Sequence, residues 1–116
     1  MDDIQNEAFD LIQSHRQELK VRLDELAQKY RKYPDGFEFL FRGEDDKPEK
    51  CKIIDAYIFY VYAVNGLPDS QSIAVWYRCY CPSWCLEDGV YVPISDKLLD
   101  RAIEKYGLHG PATAKA

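Results

Sequence analysis

The chain has 116 residues, a formal charge of −5, and side chains that are 47% apolar and 14% aromatic. That length suits a single domain, and so much apolar surface excludes intrinsic disorder. The acidic balance excludes a general affinity for nucleic-acid backbones, while an acidic start and the lack of a membrane-length apolar run lead us to expect a cytoplasmic protein.

From Ile4, apolar residues recur at steps of three and four through Ala8, Leu11, Ile12, Leu19, Leu23, Leu26 and Tyr30, with His15 on the same stripe. The period predicts one amphipathic helix from about Asp3 to Arg31. Asp2 or Asp3 caps it, Lys29, Arg31 and Lys32 suit its C-terminal dipole, and Pro34-Asp35-Gly36 stops it. At 1.5 Å per residue such a helix runs ~43 Å. A globule of this size is only ~35 Å across. The excess suggests a docking arm, or a homodimer formed through the N-terminal helix.

Phe37, Phe39 and Phe41 alternate with Glu38, Leu40 and Arg42, the pattern of a half-buried strand. After a charged connection from Gly43 to Pro48 come two stretches rich in Ile, Val, Tyr and Phe, Lys52 to Val64 and Ile73 to Cys81. Asn65-Gly66, followed by Pro68-Asp69-Ser70, marks a hairpin between them. A short fourth strand is expected at Val90 to Val92. The last helix starts at Ser95, places Leu98, Leu99, Ala102, Ile103 and Tyr106 on one face, and ends at Gly107. The fold class is therefore α+β: a long N-terminal helix, a four-stranded antiparallel meander and a C-terminal helix. We expect one domain over residues 1–108 and a flexible tail over 109–116.

Both faces of the second and third strands are apolar. If one covers the core, the other still shows Tyr60, Tyr62, Trp76 and Tyr80, more aromatic surface than a solvated face needs. Glu44, Asp45 and Asp46 lack the ligand spacing of a calcium loop and read as a solvated segment that can offer charge to a basic partner.

The least ordinary segment is Arg78-Cys79-Tyr80-Cys81-Pro82-Ser83-Trp84-Cys85. Cys79 and Cys81 share a strand face, and Pro82 lets Cys85 turn back. Cys51 faces Cys85 if Val64 pairs with Ser72, and lies beside Cys79 and Cys81 if the hairpin is tight. Three readings stay open. Buried core residues are the commonest state of free cysteine and lead the comparison. A structural zinc held by Cys51, Cys79, Cys81 and Cys85 suits thiolate chemistry, although Cys-x-Cys departs from the usual ligand spacing. A thiol–disulfide pair, its thiolate favoured by Arg78, is the third.

Asp55 interrupts an apolar strand, and a salt bridge to Lys52 or Arg78 is favoured over an acid–base role. His15 reads as a partly buried, hydrogen-bonded side chain and His109 as surface. Gly43, Gly66 and Gly89 fit turns, and none belongs to a phosphate-cradling pattern.

Two classes of function follow. The first is a non-enzymatic, cofactor-free, inhibitor-like regulatory protein. It would bind another protein through the aromatic sheet face and the acidic loop, without direct contact to nucleic acid or membrane. Small acidic inhibitors encoded by phages and mobile elements have this general composition. The alternative is a cysteine-cluster protein with a zinc or thiol-redox role. A small-molecule pocket between helix and sheet would leave no trace in the sequence.

Overall fold

The computed structural model describes residues 3–14, 17–43 and 47–107. Its elements are α1 (Asp3–Ser14), α2 (Leu19–Tyr30), β1 (Glu38–Arg42), β2 (Pro48–Phe59), a 3-10 turn (Ser70–Ser72), β3 (Ala74–Tyr80), β4 (Val92–Ser95) and α3 (Asp96–Tyr106). The four strands form one antiparallel sheet in the order β1-β2-β3-β4, so the α+β class and the meander are as expected. The tail expected over 109–116 lies outside the described residues. None of the helices among the described residues is long and apolar enough to cross a membrane. The chain divides into two compact units, Met1–Arg31 with Ala56–Trp76, and Lys32–Asp55 with Tyr77–Ala116.

In the first unit the expected single helix is two. α1 and α2 have 12 residues each and pack on one another as an antiparallel hairpin. Ala8 and Ile12 of α1 and Leu23, Leu26 and Ala27 of α2 are buried. Across the hairpin, Lys29 Nζ donates to both Glu7 carboxylate oxygens at 3.1 Å, and the Tyr30 hydroxyl donates to Glu7 Oε2. The Tyr30 bond, then the Lys29 bond, holds the Glu7 carboxyl below the usual range.

The break falls where the sequence turns polar. Ser14 Oγ bonds back to the Leu11 carbonyl at 2.8 Å, and Gln17-Glu18 form a turn. Serine competes in this way with the helical ladder. Each helix then measures only ~18 Å. Neither is long enough to overhang the domain, so a docking arm or a helix-mediated homodimer no longer follows from helix length.

Asn65-Gly66 does turn the chain. Gly66 takes φ 84°, which glycine adopts without steric cost, and its N–H reaches the Ala63 carbonyl at 3.0 Å. The tip is closed by a Tyr62–Pro68 bridge and a 2.8 Å bond from the Ala63 N–H to the Leu67 carbonyl. β2, however, ends at Phe59 instead of Val64. The Val61 N–H is taken by Ser72 Oγ at 2.9 Å, and the Asp69 side chain caps the 3-10 turn through the Gln71 N–H.

In the second unit β1 and β2 pair with Glu38 opposite Lys52, Leu40 opposite Lys50 and Arg42 opposite Pro48. β2 therefore starts at Pro48, earlier than expected; proline is tolerated at a strand's first residue. Phe37 and Phe39 are fully buried, each contributing roughly 2–3 kcal/mol of hydrophobic burial. α3 packs on β1 and β4. Ser95 caps it by accepting the Leu98 N–H, and Gly107 closes it, both as expected. β4 begins at Val92, because the Val90 N–H is held by the Glu87 carbonyl in the preceding turn.

Neither the odd nor the even residues of β2 line the core throughout. Cys51 and Ile53 are buried, then Ala56 and Ile58, with Ile54 and Asp55 both half-buried between them. The alternation changes phase between Ile53 and Ala56, where the strand passes from the second unit to the first.

Candidate functional site

After β3 the chain makes a tight turn whose parts hold one tryptophan at the surface. The Trp84 and Cys85 N–H groups both donate to the Cys81 carbonyl, at 2.9 and 2.8 Å. Pro82 brings no N–H, and the next donor, the Ser83 N–H, bonds the Glu49 carboxylate at 3.0 Å. Ser83 Oγ donates to the same carboxylate at 2.5 Å. Glu49 lies on β2 and thus caps the turn from outside it.

Gly43 makes room for this clamp. It is buried, and a Cβ there would sit 2.7 Å from Glu49 Cδ. The glycine is needed for close approach, where the sequence suggested only a turn.

Trp84 Nε1 donates to the Arg42 carbonyl at 3.2 Å, while half of the side chain stays exposed. The indole, Phe41, Arg42 and Val92 line an open, mainly apolar cleft of about 410 Å³. That volume is in the range of small ligand pockets, or of one bulky side chain from a partner. The segment between Trp84 and Val92 adds Leu86, 82% exposed, Val90 and Tyr91. Exposed apolar side chains concentrated in one segment are uncommon on a solvated surface.

Tyr60, Tyr62 and Trp76 belong to the first unit and Tyr80 to the second. Tyr60 and Tyr62 meet edge to face with centroids 5.6 Å apart. Trp76 is half-buried against Phe59 at 5.3 Å. Tyr62 and Tyr80 are exposed, and the hairpin tip adds Val61, Val64 and Leu67. Glu44, Asp45 and Asp46 lie outside the described residues, as do His15 and His109.

All four cysteines are buried and unbridged. Three thiols donate to backbone carbonyls: Cys51 to Glu49 at 3.7 Å, Cys79 to Tyr77 at 3.7 Å and Cys85 to Cys79 at 3.6 Å. The Cys81 N–H in turn donates to Cys85 Sγ at 3.2 Å. A hydrogen bond with Cys81, then burial, pushes the Cys51 thiol well up. Burial, then the neighbouring Cys81 and Cys85, does the same to Cys79.

Proximity of Cys51 to the other three was expected, and its interactions with Cys81 and Cys79 show it for those two. Among the described residues, however, no group of three or more His, Cys, Asp or Glu side chains is arranged to hold a metal ion. The Arg78 guanidinium makes a bidentate pair with Asp55, at 2.7 and 2.8 Å, and the Asp55 carboxylate adds to the upward shift of Cys79. The salt bridge expected for Asp55 is therefore present.

Sequence reasoning passed over Trp84, Phe41, Val92 and the Glu49–Ser83 clamp. The one signal available was a tryptophan placed directly after Pro-Ser in a turn, where a large apolar side chain has little core to enter. Compared with family models, curated proteins and solved structures, the chain matches none.

Proposed function

We propose that this chain is a non-enzymatic regulatory or inhibitor-like domain that binds another protein, seating an apolar side chain of that partner in the Trp84 cleft. The observation that carries this reading is the state of Trp84, fixed by its indole N–H and by the clamped turn yet half exposed beside an apolar cavity. A rigid, partly desolvated tryptophan loses little side-chain entropy on binding, the property that makes Trp a frequent interface hot spot. Arg42, which lines the cleft, supplies a charge at its rim. The reading requires no cofactor and is that of a cytoplasmic protein. The exposed hairpin tip with Tyr62 and Val64 is a second apolar surface, and the test separates the two.

Tagged protein, wild type or variant, is used to capture partners from the source cell. Trp84→Ala should remove at least about 90% of a specifically captured protein, since loss of a hot spot costs ~2 kcal/mol or more. Unfolding should shift by only ~1 kcal/mol, because the lost hydrogen bond is at the surface. Loss of capture with Tyr62→Ala and retention with Trp84→Ala would move the site to the hairpin. Retention by both would sink the reading.

A further inference from the structure

We propose that two copies of this chain form a symmetric dimer by pairing their β1 edges, antiparallel, about a two-fold axis at Leu40. Among the described residues, β1 ends the sheet order and has a neighbouring strand on one side only. The direction of its backbone groups follows from the bonds to β2. The Gly43 N–H donates to the Lys47 carbonyl and the Ile53 N–H to the Phe37 carbonyl. With the observed register these are hydrogen-bonded pairs, and such pairs alternate with non-bonded ones along an antiparallel ladder. Residues 37, 39, 41 and 43 therefore turn their polar groups toward β2. Glu38, Leu40 and Arg42 turn theirs the other way, to the open edge. The Trp84 indole bond to the Arg42 carbonyl agrees with this direction, and that oxygen keeps a second lone pair for another donor.

The outward residues are self-complementary. In an antiparallel pair centred on Leu40, Glu38 lies opposite Arg42 of the second copy, Leu40 opposite its own mate, and Arg42 opposite Glu38. All three are hydrogen-bonded positions, so the edge groups of both strands are satisfied together, the Arg42 carbonyl accepting from both Trp84 and the incoming strand. Each charged residue meets its opposite, and the half-buried leucines meet at the axis. Within the chain the Glu38 carboxylate makes a loose ion pair, 3.9 Å to Lys50.

The other edge differs. β4 contains Pro93, which cannot donate and blunts an edge against pairing, whereas β1 contains no proline. Short strands with charges are usually protected edges. Here the charges are spaced so that only one antiparallel register is attractive, which favours a closed dimer over open aggregation.

Sedimentation tests the proposal with untagged full-length protein. The wild type should approach twice the single-chain mass of 13.5 kDa as concentration rises. Glu38→Arg and Arg42→Glu each place like charges opposite one another at both ends, and each alone should sediment as a single chain. Mixed in equal amounts they should recover the doubled mass, because the arginine introduced at position 38 of one variant then faces the glutamate introduced at position 42 of the other, and the native Arg42 of the first faces the native Glu38 of the second. Recovery also shows that both variants are folded. A wild type of single-chain mass at every soluble concentration overturns the proposal. So does a dimer unaffected by either reversal, or a mixture that stays monomeric.

Discussion

At the level of single residues, the most consequential side chain in the second unit is Tyr77. It is fully buried, and its hydroxyl accepts the Lys32 N–H at 2.9 Å and the Tyr33 N–H at 3.4 Å, tying down the segment between α2 and β1. The same segment is fastened from the other side by Asp100, which accepts from Lys32 Nζ at 2.7 Å and from the Tyr33 hydroxyl at 2.5 Å. Removing one oxygen leaves two part-buried donors without this acceptor, so Tyr77→Phe should cost ~1–3 kcal/mol in urea unfolding while leaving the far-ultraviolet spectrum unchanged. A change within error would show that water replaces the hydroxyl. Nothing in the local sequence marks Tyr77 for this task. Alternation put it on an inward face, but its partners lie 44 and 45 positions away, and only the fold brings them together. Gly43 was equally hidden, since its reason is the space that Glu49 occupies and not a backbone angle.

At the level of elements, the class of every regular segment except the first helix could be read from periodicity and turn residues. Ser95 and Gly107 marked α3 because capping chemistry is local. The helix break was illegible for an opposite reason. Apolar steps of three and four continue from Leu11 through His15 to Leu19, so the stripe looks unbroken although the ladder is not. β2 hid its change of phase because Ile53, Ile54, Tyr57 and Ile58 make both faces apolar, and Asp55, the one polar residue at the change, is accounted for by its salt bridge to Arg78. The helical hairpin can be checked directly. Spin labels attached at the exposed positions 6 and 28, through a reactive group other than thiol, would be ~33 Å apart along one helix. Packed helices have axes about 8–10 Å apart, so the hairpin predicts a label separation of about 10–20 Å. A distance near the longer value would restore the single helix and, with it, the case for an extended arm.

For the molecule as a whole, the ionisable groups buried in the second unit set a direction for its response to pH. Cys51 is held protonated by its bond with Cys81 and by burial, and Cys79 mainly by burial. Tyr33 and Tyr77 are pushed up by burial, with Asp100 and Asp96 respectively adding to the shift. All four have folded values above their unfolded ones, so the folded state retains protons that the unfolded chain releases. Stability from this source is complete below the unfolded values, 9.0 for the thiols and 10.0 for the phenols, and is lost as the pH rises through the folded values. On the acid side Asp100 behaves oppositely. Partial burial raises its carboxyl, but the bonds from Lys32 and Tyr33 outweigh that and hold it below the usual range, so its contribution fades as the pH falls through about 4. Urea midpoints should therefore be level near neutrality and decline steeply above about pH 9. Tyr77→Phe and Cys79→Ala each lower stability at neutral pH, yet each removes one proton-retaining group, so their midpoints should decline less steeply than the wild type's. Thiol labelling followed along the same pH series should stay slow until the decline begins. An alkaline limb of unchanged slope in both variants, or rapid labelling of Cys79 in the folded protein at neutral pH, would show that these side chains are not the sealed core groups their burial implies.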